Sequence, residues 1–171
     1  MMRVLGVDPG TVATGWGVID EADRLLHIAS GVIRARGPLG ERLLRIYDET
    51  CRILSEFHPT CVSLEKTFVG DNVQTAFRLG EARGVILVAA AQAGVPVGEY
   101  SPAEIKVAVA GGGRATKEQM QTMVTHLLRL DAAPAADAAD ALGAAICHLH
   151  TQRFAEQVGN AVAMSARGRR R

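Results

Sequence analysis

Two short segments carry acids where packing alone would not place them. In "RVLGVDPG" an apolar run ends in Asp8 before Pro9-Gly10, and in "VSLEK" a second apolar run closes on Glu65. A third segment, "APAADAADALGAA", sets Asp137 and Asp140 among alanines, three residues apart. Three helical steps leave two side chains about 60° apart on one face. Each acid has an ordinary reading. Asp before Pro-Gly is good turn chemistry, Glu65 on an edge strand would face water, and an acid in the first turn of a helix stabilises it by about 0.3–1 kcal/mol. Dipole complementation accounts for Asp137 better than for Asp140, which lies near or beyond the end of the first turn. Brought together, four carboxylates require a compensating cation, and an all-oxygen set suits Mg²⁺ or Mn²⁺. Two such ions roughly 4 Å apart activate water and stabilise a leaving oxygen in phosphoryl chemistry. No His/Cys set competes as a zinc site. His148 and His150 are two apart on a helix, so they do not face each other and read as surface or packing residues.

Elements must bring these acids together. "RVLGVDPG" reads as a buried strand running into a turn, and "TGWGVID" and "LLHIASGVIRA" as two more strands after short connections, an antiparallel meander. "LGERLLRIYDETCRILSEFHP" has apolar residues at helical spacing and stops at Pro59. "TCVSLEK" is a short strand, "NVQTAFRLGEARGVILVAAAQAG" a long helix closed by Gly94, and "VPVGEY" a fifth strand over 95–100. Ser101-Pro102 opens the next helix. Thr116 with Gln119 forms a capping-box pattern for another. The last helix runs from about Ala135 to Gln152. The order β-β-β-α-β-α-β-α-α-α predicts an α/β, ribonuclease-H-like fold, a mixed five-stranded sheet flanked by helices on both faces. There the first and fourth strands are neighbours, so Asp8 and Glu65 fall together at their carboxyl ends, where open α/β sheets bind ligands. The alanines around Asp137 and Asp140 let their helix pack close to the sheet.

Composition sets the outer bounds. At 171 residues, 48% of them apolar, the chain suits one domain with a real core. The division expected is a nuclease domain over 1–155 and a basic, flexible tail over 156–171. That tail holds Arg167, Arg169, Arg170 and Arg171, and without them 15 basic residues face 18 acidic ones. A basic end on a mildly acidic body suggests an anionic partner. Cys51, Cys61 and Cys147 are scattered, as reduced intracellular thiols would be. The start lacks a signal-peptide pattern, and "VILVAAA" is too short to span a bilayer. A soluble, cytoplasmic protein with no membrane partner is expected.

"GVDPGTVATGWGVI", "SLEKTF", "LGEARGVILVAA" and "DAADALGAAICH" together resemble the RuvC family of bacterial Holliday junction resolvases, in order and from near residue 3 to about 150. The resemblance implies a homodimeric, Mg²⁺-dependent endonuclease that nicks four-way DNA junctions symmetrically, with two ions per site and Mn²⁺ able to substitute. It implies Asp8, Glu65, Asp137 and Asp140 as the catalytic acids, and RuvA and RuvB as partners. It also implies that Phe68 works against bases near the junction point, where stacking contributes about 1–3 kcal/mol, and that Lys106 and Lys117 lie near the active site. A helix staple at Phe68 and solvated surface lysines are the plainer alternatives. Arg78, Arg83 and Arg114 are candidate DNA-backbone contacts on residue type alone. The glycines of "GGGR" suggest a segment that orders on DNA. The long helix around Gly80 and Gly84 is apolar over more of its circumference than one sheet covers, which suits a two-fold interface.

Three other readings carry distinct expectations. Actin-like ATPases and sugar kinases share "DPGT"-like loops after strand one, but need a second phosphate loop in a duplicated domain, which this chain lacks. A related nuclease acting on RNA or another branched structure would keep the acids but not this "ADAADAL" helix. A silent junction-binding protein would be expected to have lost an acid, and all four are present.

Overall fold

The computed structural model describes the backbone of residues 2–66 and 73–168, and side chains over 2–66 and 74–158. Strands β1 (Met2–Asp8), β2 (Ala13–Glu21) and β3 (Leu25–Arg34) form the meander, followed by α1 (Leu39–Phe57), β4 (Cys61–Glu65), α2 (Val73–Gln92), β5 (Val97–Tyr100), α3 (Pro102–Ala110), α4 (Lys117–Leu128) and α5 (Ala136–Gly168). The sheet order is β3-β2-β1-β4-β5. β1–β2 and β2–β3 pair antiparallel, while β1–β4 and β4–β5 pair parallel. This is the mixed ribonuclease-H-like sheet expected from the element order.

Strand alternation divides the apolar residues between two cores. Leu5, Val7, Val18, Val62 and Leu64 pack with Ile46, Ile53, Ala82 and Ile86 of α1 and α2. Val4 and Ile19 pack on the other face with Ile105, Val124, Leu142 and Ile146 of α3, α4 and α5. A central sheet buried on both sides explains why β1 and β4 read as nearly continuous apolar runs.

Helix α5 lies unusually close to the sheet. Ala138, Ala139, Ala141, Ala144 and Ala145 are all buried, and glycines of the strands meet them. A Cβ on Gly6 would overlap the Ala141 carbonyl, one on Gly15 the Asp137 carbonyl, and one on Gly17 the Leu142 side chain. Glycine inside a strand commonly marks such a backbone approach. Ser63 Oγ donates to the Ala144 carbonyl at 2.6 Å, fixing β4 beneath the same helix.

Two boundaries differ from the sequence expectation. β5 starts at Val97 rather than Val95, because Pro96 has no N–H for the ladder, although its carbonyl accepts from Val62 N. α5 continues to Gly168 rather than ending near Gln152. Burial ends there, since 153–158 are exposed, but no proline follows Pro134, and Ala, Met, Gln and Arg sustain a helix. The expected tail thus begins inside a helix.

Candidate active site

β1 and β4 run parallel in a register from Val4 opposite Cys61 to Val7 opposite Leu64. The next pair along is Asp8 and Glu65, the last residue of each strand. Side chains alternate with a period of two, so Asp8 shares the face of Gly6, and Glu65 that of Ser63. Both of those residues touch α5, so both acids point toward its N-terminal end. Asp8 is also paired across the sheet with Gly15, over which the Asp137 carbonyl lies. Asp140 follows one turn later on α5.

Asp8, Glu65 and Asp140 line one pocket of about 290 Å³, together with Lys106 of α3 and Lys117 of α4, over apolar Ile105 and Met120. The expected capping box sets Lys117 there. Thr116 Oγ accepts from Gln119 N at 3.2 Å and Gln119 Oε1 from Thr116 N at 2.9 Å, which makes Lys117 the first residue of α4.

Electrostatics tie all four acids into one cluster. Burial, then repulsion by Asp140, Glu65 and Asp137, pushes the Asp8 carboxyl up to about 7, against the pull of Lys117. Burial and Asp140 raise Glu65, with Lys106 and Lys117 opposing. Burial raises Asp140, with Lys117 opposing and Asp137 adding to the rise. Such a cluster is short of positive charge, and its donors are all carboxylate oxygens, so the residues fit a hard divalent cation. Among the described residues no three His, Cys, Asp or Glu side chains are drawn tightly enough to ligate one ion together.

The remaining sequence candidates separate. Lys106 and Lys117 are at the pocket. Arg78 is exposed on α2 and Arg114 in the α3–α4 connection, neither lining it. Phe68 lies outside the described residues. Arg83 is largely covered and occupied. It donates to the Glu65 carbonyl at 3.0 Å and to the Glu99 carboxylate. These contacts tie α2 to the end of the strand that carries Glu65. His148 is buried, with its Nδ1 2.9 Å from the Tyr100 hydroxyl, and His150 Nδ1 is 3.1 Å from the Ala108 carbonyl oxygen, so both are packing residues as expected. Sequence reasoning passed over the role of Gly6, Gly15 and Gly17. The signal was there, as three glycines inside apolar strands.

The family model for "Crossover junction endodeoxyribonuclease RuvC" matches residues 4–148. The chain belongs to the RuvC family. Among curated relatives, the RuvC of Aeromonas salmonicida is 47% identical over the full length of both chains, and that of Halorhodospira halophila is 49% identical over 88% of this chain and 91% of its own. A solved T. thermophilus RuvC in complex with a Holliday junction substrate superposes with a TM-score of 0.85 at 36% identity, covering 91% of this chain and 97% of that one. The yeast mitochondrial resolvase Ydc2 superposes at 0.57 with 11% identity, a likeness of fold alone. As a RuvC-family crossover junction endodeoxyribonuclease, a family of metal-dependent nucleases, the chain is a hydrolase and not an ATPase of the same fold.

Proposed function

We propose that this chain resolves Holliday junctions by paired symmetric nicks in recombination and DNA repair, using Asp8, Glu65, Asp137 and Asp140 as its catalytic acids. The observation that carries this reading is the meeting of β1, β4 and α5 at one sheet end, where the carboxylates disturb one another's ionisation. The four acids would hold Mg²⁺, two ions per site with Mn²⁺ able to replace them, and the metal would supply an activated water and charge stabilisation at the phosphate. Lys106 and Lys117 hold the phosphate beside the acids. Arg78 and Arg114 contact the DNA backbone farther out, Phe68 stacks on an unpaired base, and Arg83 positions the Glu65 strand end.

The working unit is a homodimer through α2. Phe77 and Val88 are exposed on that helix, and Gly80 and Gly84 have open space around them. At helical spacing these four form one stripe, suited to close approach of a second copy. The nuclease domain spans 1–155, and the arginines of 156–171 add salt-sensitive affinity for DNA. RuvA and RuvB, the partners implied by the family, deliver the junction. The site of action is the cytoplasm; among the described residues no helix is long and apolar enough to cross a membrane.

Asp8→Asn tests the reading. The variant is expected to bind a four-way junction with near wild-type affinity and to leave it uncut in Mg²⁺. Cleavage at the wild-type rate would remove Asp8, and the metal chemistry with it, from the reaction.

A further inference from the structure

A second charged surface adjoins the acidic pocket. β2 runs antiparallel to both β1 and β3, so β1 and β3 end at the same edge of the sheet. Asp8 is opposite Gly15 on β2, and Gly15 is opposite Val32 on β3. Arg34 is two residues beyond Val32, so it shares Val32's face and hence that of Asp8. With strands about 4.8 Å apart and about 3.4 Å per residue, the Arg34 and Asp8 Cα atoms are roughly 12 Å apart.

Other arginines gather at that end. Ala35 N donates to the Val12 carbonyl at 3.0 Å, extending the pairing one step and leading to exposed Arg36. Arg45 Nε donates to the Arg34 carbonyl at 3.2 Å, which brings the first turns of α1, and Arg42 with them, beside the strand end. Residues 34–45 hold four arginines against one acid, Glu41. Among the described residues Arg34, Arg36 and Arg42 make no ion pair, whereas Arg45 pairs with Glu49. The Arg42 Nε is buried without a hydrogen-bond partner.

The four carboxylates repel a phosphate backbone, and the two lysines beside them offset only part of that charge. Positive charge flanking the pocket is what a polyanion needs in order to stay there. A span of 12 Å corresponds to roughly three to four base pairs of duplex at about 3.4 Å each.

We propose that Arg34, Arg36 and Arg42 form a sequence-independent contact surface for the sugar-phosphate backbone of a duplex arm, about three to four base pairs from the scissile phosphate. This rests on the endonuclease reading above. The surface holds the arm against the sheet edge while the acids act, and Arg34 and Arg36 carry most of the contact because they are exposed, whereas Arg42 is half-buried.

The test is the salt dependence of junction affinity without divalent cation, between about 50 and 200 mM salt, for wild type, R34Q/R36Q, R34K/R36K and R52Q. Each neutralised phosphate adds about 0.9 to the magnitude of the log–log slope. R34Q/R36Q should lower that magnitude by about 1.8 with its melting temperature unchanged. R34K/R36K should keep the wild-type slope, since charge is what binds. R52Q removes a charge elsewhere on α1, from an arginine already bonded to Glu49 and Glu56, and should also keep it. An unchanged slope in R34Q/R36Q, or an equal fall in R52Q, overturns the arm contact. Wild type that fails to cut a junction in Mg²⁺ overturns the endonuclease reading itself, whereas wild type that cuts with a slope insensitive to Arg34 and Arg36 overturns the arm contact alone.

Discussion

Removing the Asp8 charge should stabilise the metal-free protein while abolishing its chemistry. Burial and three neighbouring carboxylates raise this carboxyl from 3.8 to about 7. A group that holds its proton more tightly when folded contributes stability below its unfolded pKa and loses it as pH rises through the folded one. In chelator, therefore, Asp8 draws stability out of the wild type between about pH 4 and about pH 7, with no further loss above. The full shift of about three pH units, at about 1.36 kcal/mol each, sets a ceiling of about 4 kcal/mol. The pocket admits water, which screens the repulsion and brings the expected effect to about 1–3 kcal/mol. Asp8→Asn keeps the shape and removes the ionisation. Its advantage over wild type should be near zero at about pH 4 and about 1–3 kcal/mol at about pH 8. For a chain of this size that is a rise of roughly 2–10 °C in melting temperature. Thermal melts in EDTA at both pH values measure it. Adding Mg²⁺ should then raise the wild type more than the variant, as a ligand of the folded state does. A variant no more stable than wild type at the higher pH, or one with the same advantage at both, would refute the clustering of charge at this site.

Two further substitutions probe the framework. Gly6→Ala places a Cβ against the Ala141 carbonyl, where backbone rather than a flexible side chain must yield. It should cost about 3 kcal/mol or more in a denaturant melt, and lift α5 and its acids off the strand ends, so that cleavage falls as well. Arg83→Ala frees the Glu65 strand end, and its cleavage rate should fall about ten- to a hundredfold with junction affinity within about twofold, as expected for a misplaced catalytic group. Arg83→Lys keeps the charge but has a single donor nitrogen in place of the two that Arg83 uses, and should recover part of the rate. A loss of affinity with an unchanged single-turnover rate would make Arg83 a DNA contact instead.

Asp8 and Glu65 were legible because an acid at the end of a buried strand is conspicuous, and because element order alone makes those strands neighbours. Asp137 and Asp140 were legible by their helical spacing and by alanines that signal close packing. What sequence did not disclose depends on register. Gly6, Gly15 and Gly17 matter because β1 and β2 pair as they do and α5 crosses both, a non-local arrangement no single segment encodes. Arg83 looks like any exposed helix arginine until β5 brings Glu99 beside the end of β4. The buried Asp20, gripped by Arg3 through two contacts of 2.7 and 2.8 Å, pairs residues whose proximity likewise comes from the hairpin register. α5 runs past the expected end near Gln152 because no proline or other stop follows, so the helix continues beyond its buried stretch.

Incubation of the wild type with a synthetic four-way junction and with linear duplex of the same sequence, each in Mg²⁺ and in EDTA, tests the central claim most directly. Paired nicks at symmetric positions in the junction, none in the duplex and none in EDTA are the predicted result. Equal cutting of both substrates, or cutting that survives the chelator, would contradict a carboxylate-bound metal site built for junctions.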